Sequence, residues 1–558
     1  MNAEALLEAL DDQQREAAMA LVGPVCILAG AGTGKTRTIT HRLAYGIAKG
    51  QFAANRALVL TYTNRAAGEL RARLHQLGAG SVSVKTFHAA ALSQLEYFWP
   101  QLTGAITPKV LESKARTLHE IASREKIALT SESIRDLAAE IEWRKQNMLT
   151  LDEYQDRLKS RPSVSGLSAK KNLALQQAYE AEKLKTQTID WEDVLILTLG
   201  MIRAEPSVRE HVRSQYRFFT VDEYQDISSL QHALLDEWLG NRSDLCVVGD
   251  PNQTIFSFTG ASNRFLMDFA NRFDSAQVFE LTRNYRSTAQ IVEFANRVTR
   301  DQHMLSPLEP TGSTGAVPRI RSFEDLQAEA EHVATEIRKH RDAGVAAKDI
   351  AVLYRVNGQS EPFENELSKL GVEYVVRGGQ RFFQRSEVQA AIRVIRAEAA
   401  TDNGKTTYEA VTDIIRSLGW STKPPIDANQ REKWESLNSL LEIVDELEAR
   451  ATLVDLAREL DERARSQHEP TRAAVTLATM HAAKGLEWKV VFVVGLTEGY
   501  LPIGYAKTDA EITEEKRLFY VAITRAEREL TLTWAQKDGS RALTRERSRF
   551  LNLLEPKR

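Results

Sequence analysis

A glycine-rich stretch after the apolar run VCIL has the composition of a loop that holds the phosphates of a nucleotide. It reads AGAGTGKTRT from 29 to 38 and leads into RTITHRLAYGIAKG, whose spacing predicts a helix. Glycines let backbone amides converge on phosphate oxygens, and a helix start adds partial positive charge. Lys35 would reach the β- and γ-phosphates, and Thr36 would ligate Mg²⁺. The predicted loop residues are Gly30, Ala31, Gly32, Thr33, Gly34, Lys35, Thr36 and Arg37.

Two carboxylates follow a second apolar strand. In FFTVDEYQD, residues 218–226, four apolar or β-branched residues run directly into Asp222 and Glu223. Asp222 would hold Mg²⁺ through water, and Glu223 would accept a proton from the attacking water. A third strand, in LCVVGDPNQTIF at 245–256, ends in polar residues, of which Gln253 is suited to sense the γ-phosphate. These residues predict the hydrolysis of a nucleoside triphosphate.

The elements that position these residues belong to a large globular chain. Its 558 residues exceed what one hydrophobic core usually supports, so we expect two to four domains. Cys26 and Cys246 lie in apolar runs without disulfide or metal spacing, which favours a cytoplasmic protein. The N-terminus has no basic region before an apolar stretch, and no apolar run reaches about 18 residues. We therefore expect a protein that is neither exported nor membrane-spanning.

Charge leaves the question of a polyanionic partner open. The net charge is −3, but a nucleic-acid groove needs only local positive charge. The segment 144–171 is locally basic, and it forms either a solvated helical face or a patch that binds a nucleic-acid backbone. Its basic residues are Arg144, Lys145, Arg157, Lys159, Arg161, Lys170 and Lys171.

Further motifs follow in a fixed order along the chain. They are LDDQQREAA (10–18), TYTNRAAGELRAR (61–73), TFHA (86–89), VDEYQD (221–226), GDPNQTIFSFTGA (249–261), LTRNYRS (281–287), TMHAAKGLEW (479–488) and EEKRLFYVAITRA (514–526). With the phosphate loop, this series resembles superfamily 1 helicases of the UvrD, Rep and PcrA type over nearly the whole chain. The alanine that opens the loop is also usual in that family.

The resemblance implies an α/β fold with two RecA-like parallel-sheet lobes of the P-loop NTPase class, mostly helical insertions in each lobe, and ATP bound between the lobes. The first lobe would comprise 1–89 and 210–278, with an insertion at 90–209. The second would comprise 279–399 and 470–558, with an insertion at 400–469. That second insertion, bounded by TDNGK and KPPID, is about half the usual length.

The resemblance also implies roles for individual residues. Gln14 would read adenine, Tyr285 would stack on the base, and Glu487 would bind the ribose. Arg286 would reach the γ-phosphate, and Arg525 would be the arginine finger. The motifs that contact single strands would supply Tyr62, Asn64, His88, Phe256, Phe258 and His481. Thr259 stands where an arginine is more usual, which removes one charged contact.

Three functions remain open. The first is an ATP- and Mg²⁺-dependent DNA helicase that moves 3′ to 5′ on single strands, in DNA repair or replication. The second is a DNA-stimulated ATPase that translocates and strips proteins without efficient unwinding, which the short insertion favours. The third is a regulatory ATP-binding protein of a repair complex, against which the complete catalytic set argues. The expected partners are single-stranded DNA, junctions and repair or replication proteins, with a monomer in solution and no membrane.

Overall fold

The computed structural model describes residues 3–158, 161, 164, 167–302, 304–312, 314–377, 383, 386–399, 405–422, 436–437, 440–441, 443–444, 447, 451–466, 474–538 and 543–555. The chain divides into two compact units. The first is Met1–Arg286 with Thr299–Gly312, and the second is Ser287–Val298 with Ser313–Arg558.

The first unit contains a parallel sheet in the order β3-β2-β6-β7-β1-β8, with two short strand pairs beside it. The strands of this unit are β1 (Val25–Ala29), β2 (Ala57–Thr61), β3 (Ser83–Thr86), β4 (Lys109–Val110), β5 (Thr188–Ile189), β6 (Phe218–Val221), β7 (Leu245–Gly249), β8 (Gln277–Leu281), β9 (Arg283–Asn284) and β10 (Glu309–Pro310). The central strands read VCILA, ALVLT, FFTV and LCVVG and are buried almost throughout. Such continuous apolar runs are typical of parallel strands that are covered on both faces.

Helices cover both faces of this sheet. The helices of the first unit are α1 (Ala3–Glu8), α2 (Asp12–Met19), α3 (Lys35–Ala48), α4 (Asn64–Gln76), α5 (Phe87–Thr103), α6 (Lys114–Arg124), α7 (Ser131–Gln146), α8 (Leu151–Arg157), α9 (Ala169–Thr186), α10 (Trp191–Ala204), α11 (Pro206–Gln215), α12 (Ser229–Leu239), α13 (Arg264–Met267) and α14 (Phe269–Arg272). On one face α5, α10, α11 and α12 share a core with the strands, and on the other α1 to α4 do so. The predicted α/β fold with parallel sheets is confirmed.

The helical insertion of the first unit is narrower than the predicted span of 90–209. Helices α6, α7 and α9 form a separate core around Leu118, Leu137 and Tyr179. In contrast, α5, α10 and α11 pack in the core of the sheet, although α10, most of α5 and the start of α11 lie within that span. The sequence shows that these segments are amphipathic, but only packing decides which core each helix joins.

The boundary predicted between 278 and 279 falls inside the first unit, which continues to Arg286. The reason is that β8 pairs with β1 across its whole length. Tyr285 and Arg286, which lie within the predicted second lobe, therefore belong to the first unit.

The second unit contains a parallel sheet in the order β11-β16-β15-β12-β14-β13, with β17 antiparallel to β16. Its strands are β11 (Arg319–Asp325), β12 (Ile350–Tyr354), β13 (Tyr374–Arg377), β14 (Val475–Thr479), β15 (Trp488–Val493), β16 (Ala526–Asp538) and β17 (Leu543–Thr544). Its helices are α15 (Ala289–Thr299), α16 (Leu326–Asp342), α17 (Ser360–Lys369), α18 (Ser386–Glu398), α19 (Thr407–Ser417), α20 (Leu453–Ser466) and α21 (Asp509–Ile523).

Helices α18, α19 and α20 share a small core of their own; α19 and α20 lie within the predicted insertion 400–469, whereas α18 precedes it. The bounding segment KPPID and most of TDNGK lie outside the described residues. Among the described residues, no helix has both the length and the apolar character that a membrane-spanning helix needs.

Candidate functional site

The carboxyl ends of the strands in the first sheet carry almost every predicted site residue of that unit. The phosphate loop follows β1, Asp222 and Glu223 follow β6, and Gln253 follows β7. These three strands are neighbours in the sheet. In parallel sheets the carboxyl edge is where ligands bind. The sheet order therefore brings together the three groups that the sequence spaces over more than 200 residues.

The phosphate loop has the backbone form that its glycines predict. Gly32 and Gly34 have φ angles of 71° and 84°, in the left-handed region that favours glycine. A Cβ atom on Gly32 would lie 2.5 Å from Asn284 Nδ2, so the neighbouring segment also requires glycine there. Lys35 begins α3 and donates to the carbonyls of Ala29 and Gly30 at 3.1 and 3.2 Å. The helix start and the ammonium group thus lie at the loop, as anion binding needs.

The segment after β8 lies against this loop. Asn284 Nδ2 donates to Ala31 O at 2.7 Å, and Tyr285 N donates to Gly32 O at 2.9 Å. The added Cβ on Gly32 would also come within 2.9 Å of Arg286 Cβ. Arg286 therefore lies at the phosphate loop within a single unit.

Two residues predicted to hold the base lie at the other end of the loop. Gln14 is buried, and its amide donates to Thr33 O at 2.9 Å. The Tyr285 hydroxyl donates to the Asp11 side chain, which also caps α2 next to Gln14. The Tyr285 ring is half-exposed, as a face for base stacking must be.

The two carboxylates after β6 differ in their surroundings. Burial and the nearby Glu223 carboxylate raise the pKa of Asp222 to about 7, although the Lys35 ammonium opposes this shift. Glu223 has a φ of 54°, an uncommon conformation that is typical of functional sites. A buried carboxylate beside a second negative charge is favourable ground for a divalent cation. Asp222, and Thr36 at the start of α3, are the residues that could hold a Mg²⁺ there.

Gln225 connects the loop that follows β6 with the loop that follows β7, and it is not among the residues predicted from the sequence. Its Nε2 donates to Glu223 Oε2 at 2.5 Å and to Asp226 Oδ2 at 3.2 Å. Its Oε1 accepts from the backbone N–H of Asp250 at 3.0 Å. Gln253 Nε2 in turn donates to Asp250 Oδ2 at 2.7 Å. The polar residues between Glu223 and Gln253 form one network, whose only sequence signal was the short spacing within VDEYQD and GDPNQ.

Three aromatic residues from the segments that follow β2 and β7 form a row. The rings of Tyr62 and Phe256 are stacked at 5.6 Å with an interplanar angle of 11°, and Phe258 meets Phe256 edge-on at 6.1 Å. Tyr62 is 39% exposed and Phe258 is 50% exposed, so these two side chains are not core aromatics. Asn64 begins α4 two residues after Tyr62. We call Tyr62, Phe256 and Phe258 the aromatic row.

His88 lies near the end of β3, at the first turn of α5. Its ring meets the half-exposed ring of Trp191 edge-on at 5.9 Å. Burial and the charge of Lys114 lower the pKa of His88 to about 4, so its ring is neutral near pH 7. Trp191 is a further exposed aromatic residue, and it was not predicted from the sequence. A single aromatic residue at the start of a helix has no periodic signal.

The basic segment 144–171 as a whole forms neither a solvated helical face nor a patch that could bind a nucleic-acid backbone. Arg144 and Lys145 are buried in ion pairs, and Arg161 pairs with Glu140 while covering the Trp143 ring at 3.7 Å. The remaining described members are exposed, and Lys159 lies outside the described residues; the exposed ones are Arg157, Lys170 and Lys171. Neither alternative describes the whole segment, because helix packing turns Arg144 and Lys145 inward.

In the second unit the structure brings Glu487 and Arg525 together. They immediately precede the neighbouring strands β15 and β16, where Trp488 N donates to Arg525 O at 3.0 Å. The Arg525 guanidinium is 2% exposed and donates to the carbonyls of Val521 and Leu486 and to the Thr524 hydroxyl. Glu487 is exposed.

His481 follows β14, at the carboxyl edge of that sheet, whereas Glu487 and Arg525 lie at the amino ends of their strands. Burial, together with the charges of Arg355 and Lys484, lowers the pKa of His481 to about 3. Its ring is therefore neutral near pH 7.

Comparison with known proteins agrees with this arrangement. A family model described as UvrD/REP helicase N-terminal domain matches residues 10–274, and one described as UvrD-like helicase C-terminal domain matches residues 279–432 and 425–537. The chain is 44% identical to the ATP-dependent DNA helicase UvrD2 of Mycobacterium tuberculosis, over 99% of this chain and 82% of that protein. It is 28% identical to the ATP-dependent DNA helicase PcrA of Leuconostoc citreum, over 100% of this chain and 86% of that protein.

The matches cover both units and all the motifs that surround the phosphate loop, the two carboxylates and the aromatic row. The chain therefore belongs to the UvrD/Rep family of helicases.

Proposed function

We propose that this chain is an ATP-dependent DNA helicase that uses Mg²⁺ and moves 3′ to 5′ on single-stranded DNA. The order of the first sheet is the observation that carries this proposal. Residues suited to nucleotide follow β1, β8, β6 and β7, and residues suited to bases follow β2 and β3. The segment from Gln253 to Phe258 belongs to both groups, so nucleotide and DNA would act on one continuous piece of chain.

Hydrolysis would use the residues around the phosphate loop. Glu223 would accept the proton of the attacking water, with Gln225 holding its carboxylate in place. Lys35 and Arg286 would offset the charge that develops on the γ-phosphate. The Mg²⁺ that Asp222 and Thr36 fit would neutralise phosphate charge. By the family resemblance, Arg525 would add a second guanidinium in the transition state, for which it would exchange its hydrogen bonds to Val521, Leu486 and Thr524, and Glu487 would hold the ribose.

Single strands would bind to the aromatic row and the surface beside His88. Base stacking on an aromatic side chain contributes about 1–3 kcal/mol per base. A DNA base-pair step is stabilised by about 1.4 kcal/mol on average, so the row can hold a strand that has left the duplex. Stacking alone gives no direction, which has to come from the nucleotide cycle. Asn64 and His481 would add polar contacts.

The polarity and the cellular role, in DNA repair or replication, rest on the family resemblance. A second candidate is a translocase that strips proteins from DNA and unwinds poorly. The short predicted insertion at 400–469 favours it, because a smaller accessory domain offers less surface to a duplex. In both cases the partners would be single-stranded DNA and junctions, with the chain a monomer in solution.

The deciding experiment is strand displacement on duplexes with a 3′ tail, a 5′ tail or no tail, in the presence of ATP and Mg²⁺. The helicase proposal requires unwinding of the 3′-tailed duplex. DNA-stimulated ATP hydrolysis without displacement would favour the translocase. Preference for the 5′ tail would contradict the proposed polarity.

Two variants test the assigned site. Glu223→Gln should keep nucleotide affinity and lower kcat by about 10²–10⁴-fold, because only the base is lost. Lys35→Ala should instead weaken nucleotide binding, since the cation that contacts the phosphates is removed. Unchanged nucleotide affinity in Lys35→Ala would contradict the assignment of the phosphate loop.

A further inference from the structure

The last turn of α7 contacts two loops that serve different ligands. Gln146, the final residue of this helix, is 5% exposed. Its Oε1 accepts a hydrogen bond from Ser228 Oγ at 2.5 Å. Ser228 is the N-cap of α12 and lies just after the segment that contains Glu223 and Gln225. The helical insertion is therefore bonded directly to the chain that follows the catalytic carboxylates.

The same turn lies against the end of the segment that carries the aromatic row. Gly260 has a φ of 96°, and a Cβ atom there would lie 2.9 Å from Gln146 Cβ and 3.1 Å from Asn147 Nδ2. The next residue, Ala261, forms an isolated bridge with Ser228. Gln146 thus contacts both Ser228 and Gly260, and Gly260 lies two residues after Phe258.

A buried ion cluster fixes this turn. Lys145, adjacent to Gln146, lies 2.7 Å from Asp190 and 2.6 Å from Asp193, which cap the start of α10. Lys183 of α9 contacts the same two carboxylates. Glu180 and Arg144 complete the cluster, so three cations face three carboxylates.

This cluster leaves the end of α7 little freedom. Lys145 is 2% exposed, and every carboxylate that it meets is shared with another cation of the cluster. Moving the turn would separate buried charges, which is costly. Packed interiors transmit a displacement rather than absorb it. Because the end of α7 is held in place, a shift of the aromatic row when bases stack would change how Gly260 packs on Gln146, and the Gln146–Ser228 hydrogen bond would respond to that change.

We infer that Gln146 is a positioning residue through which single-stranded DNA on the aromatic row stimulates ATP hydrolysis. The inference rests on the proposed function, and it specifies how that activity is regulated. Gln146 is neither one of the residues assigned to the nucleotide nor a member of the aromatic row. It acts through Ser228 on the segment of Glu223 and Gln225, and through Gly260 on the segment of Phe256 and Phe258.

The test compares two substitutions that differ in hydrogen bonding. Gln146→Met keeps the length of the side chain but removes the oxygen that accepts from Ser228. Gln146→Glu keeps an acceptor, and its negative charge would lie at the start of α12, where a helix favours an anion. Gln155→Met is the matched control, because Gln155 is exposed on α8 of the same insertion.

The measurements are ATP turnover without DNA, turnover with saturating oligothymidylate, and oligothymidylate affinity. Gln146→Met should keep the DNA-free rate and the affinity, and its stimulated rate should fall about tenfold, the effect of one lost hydrogen bond. Gln146→Glu should retain most of the stimulation, and Gln155→Met should retain all of it. Gly260→Ala, which places a methyl group against Gln146, should uncouple stimulation in the same way.

Full stimulation in Gln146→Met would overturn the inference, as would an equal loss in the Glu and Met variants or in the control. Thermal unfolding identifies a variant that fails to fold, and in that case Gly260→Ala decides. Absence of DNA stimulation in the unmodified protein would instead contradict the proposed function. The two failures are therefore distinguishable.

Discussion

Removal of the Gln225 amide should slow ATP hydrolysis without weakening ATP binding. Gln225 is fully buried, and its Nε2 donates to Glu223 Oε2 at 2.5 Å. Gln225→Met keeps the length of the side chain and removes both polar atoms. Glu223 then loses the donor that orients its carboxylate toward water. The backbone N–H of Asp250 also loses its acceptor at 3.0 Å.

The magnitude follows from the kind of bond that is lost. A hydrogen bond to a charged group contributes about 1.5–3 kcal/mol. If the transition state loses this whole contribution, kcat falls by about 10–150-fold. No phosphate contact changes, so the KM for ATP should stay within about threefold of the unmodified value. The unpaired N–H of Asp250 should in addition lower the free energy of unfolding by about 1–3 kcal/mol.

The assay is steady-state ATP hydrolysis with saturating single-stranded DNA, together with thermal unfolding. Gln94→Met is the matched control, because buried Gln94 accepts from Trp238 Nε1 at 2.9 Å in the same unit, in the helical core on one face of the sheet. It should lose similar stability and keep its kcat. Equal kcat in the two variants would refute the positioning role of Gln225 and leave it a purely structural residue.

Three further results are expected. Tyr62→Ala should weaken single-strand binding by about 5–150-fold, the equivalent of about 1–3 kcal/mol of stacking, with little change in the salt dependence of affinity, because no phosphate contact is lost. In the second unit, burial raises the pKa of Glu329 from 4.5 to about 7, so the folded chain holds a proton that the unfolded chain releases. The free energy of unfolding should therefore fall by about 3 kcal/mol as the pH rises from 4.5 through 7, and urea titrations of Glu329→Gln should lack this fall. Single-turnover unwinding at varied enzyme concentration should be weak on long duplexes when monomers act alone, and efficient monomer unwinding would contradict the role given to the short insertion at 400–469.

The sequence alone determined three strands of the first sheet and where its chemistry lies. Buried parallel strands need uninterrupted apolar runs, and VCILA, FFTV and LCVVG are such runs. Polar residues directly after them could be assigned to the carboxyl edge before the order of the strands was known. The glycines of the phosphate loop were equally readable, because φ angles of 71° and 84° restrict the choice of residue.

Only the tertiary structure decided which side chains meet. The cationic residues of 144–171 looked alike in the sequence, yet Lys145 is buried among carboxylates and Lys171 is exposed. The partners of Lys145 come from α9 and α10, some 35 to 48 residues further along the chain, and no local pattern encodes such a distance. Gln225 likewise becomes a link between two loops only because β6 and β7 are neighbours. Periodicity and local composition specify elements, whereas long-range packing specifies the contacts that give a buried charge or amide its role.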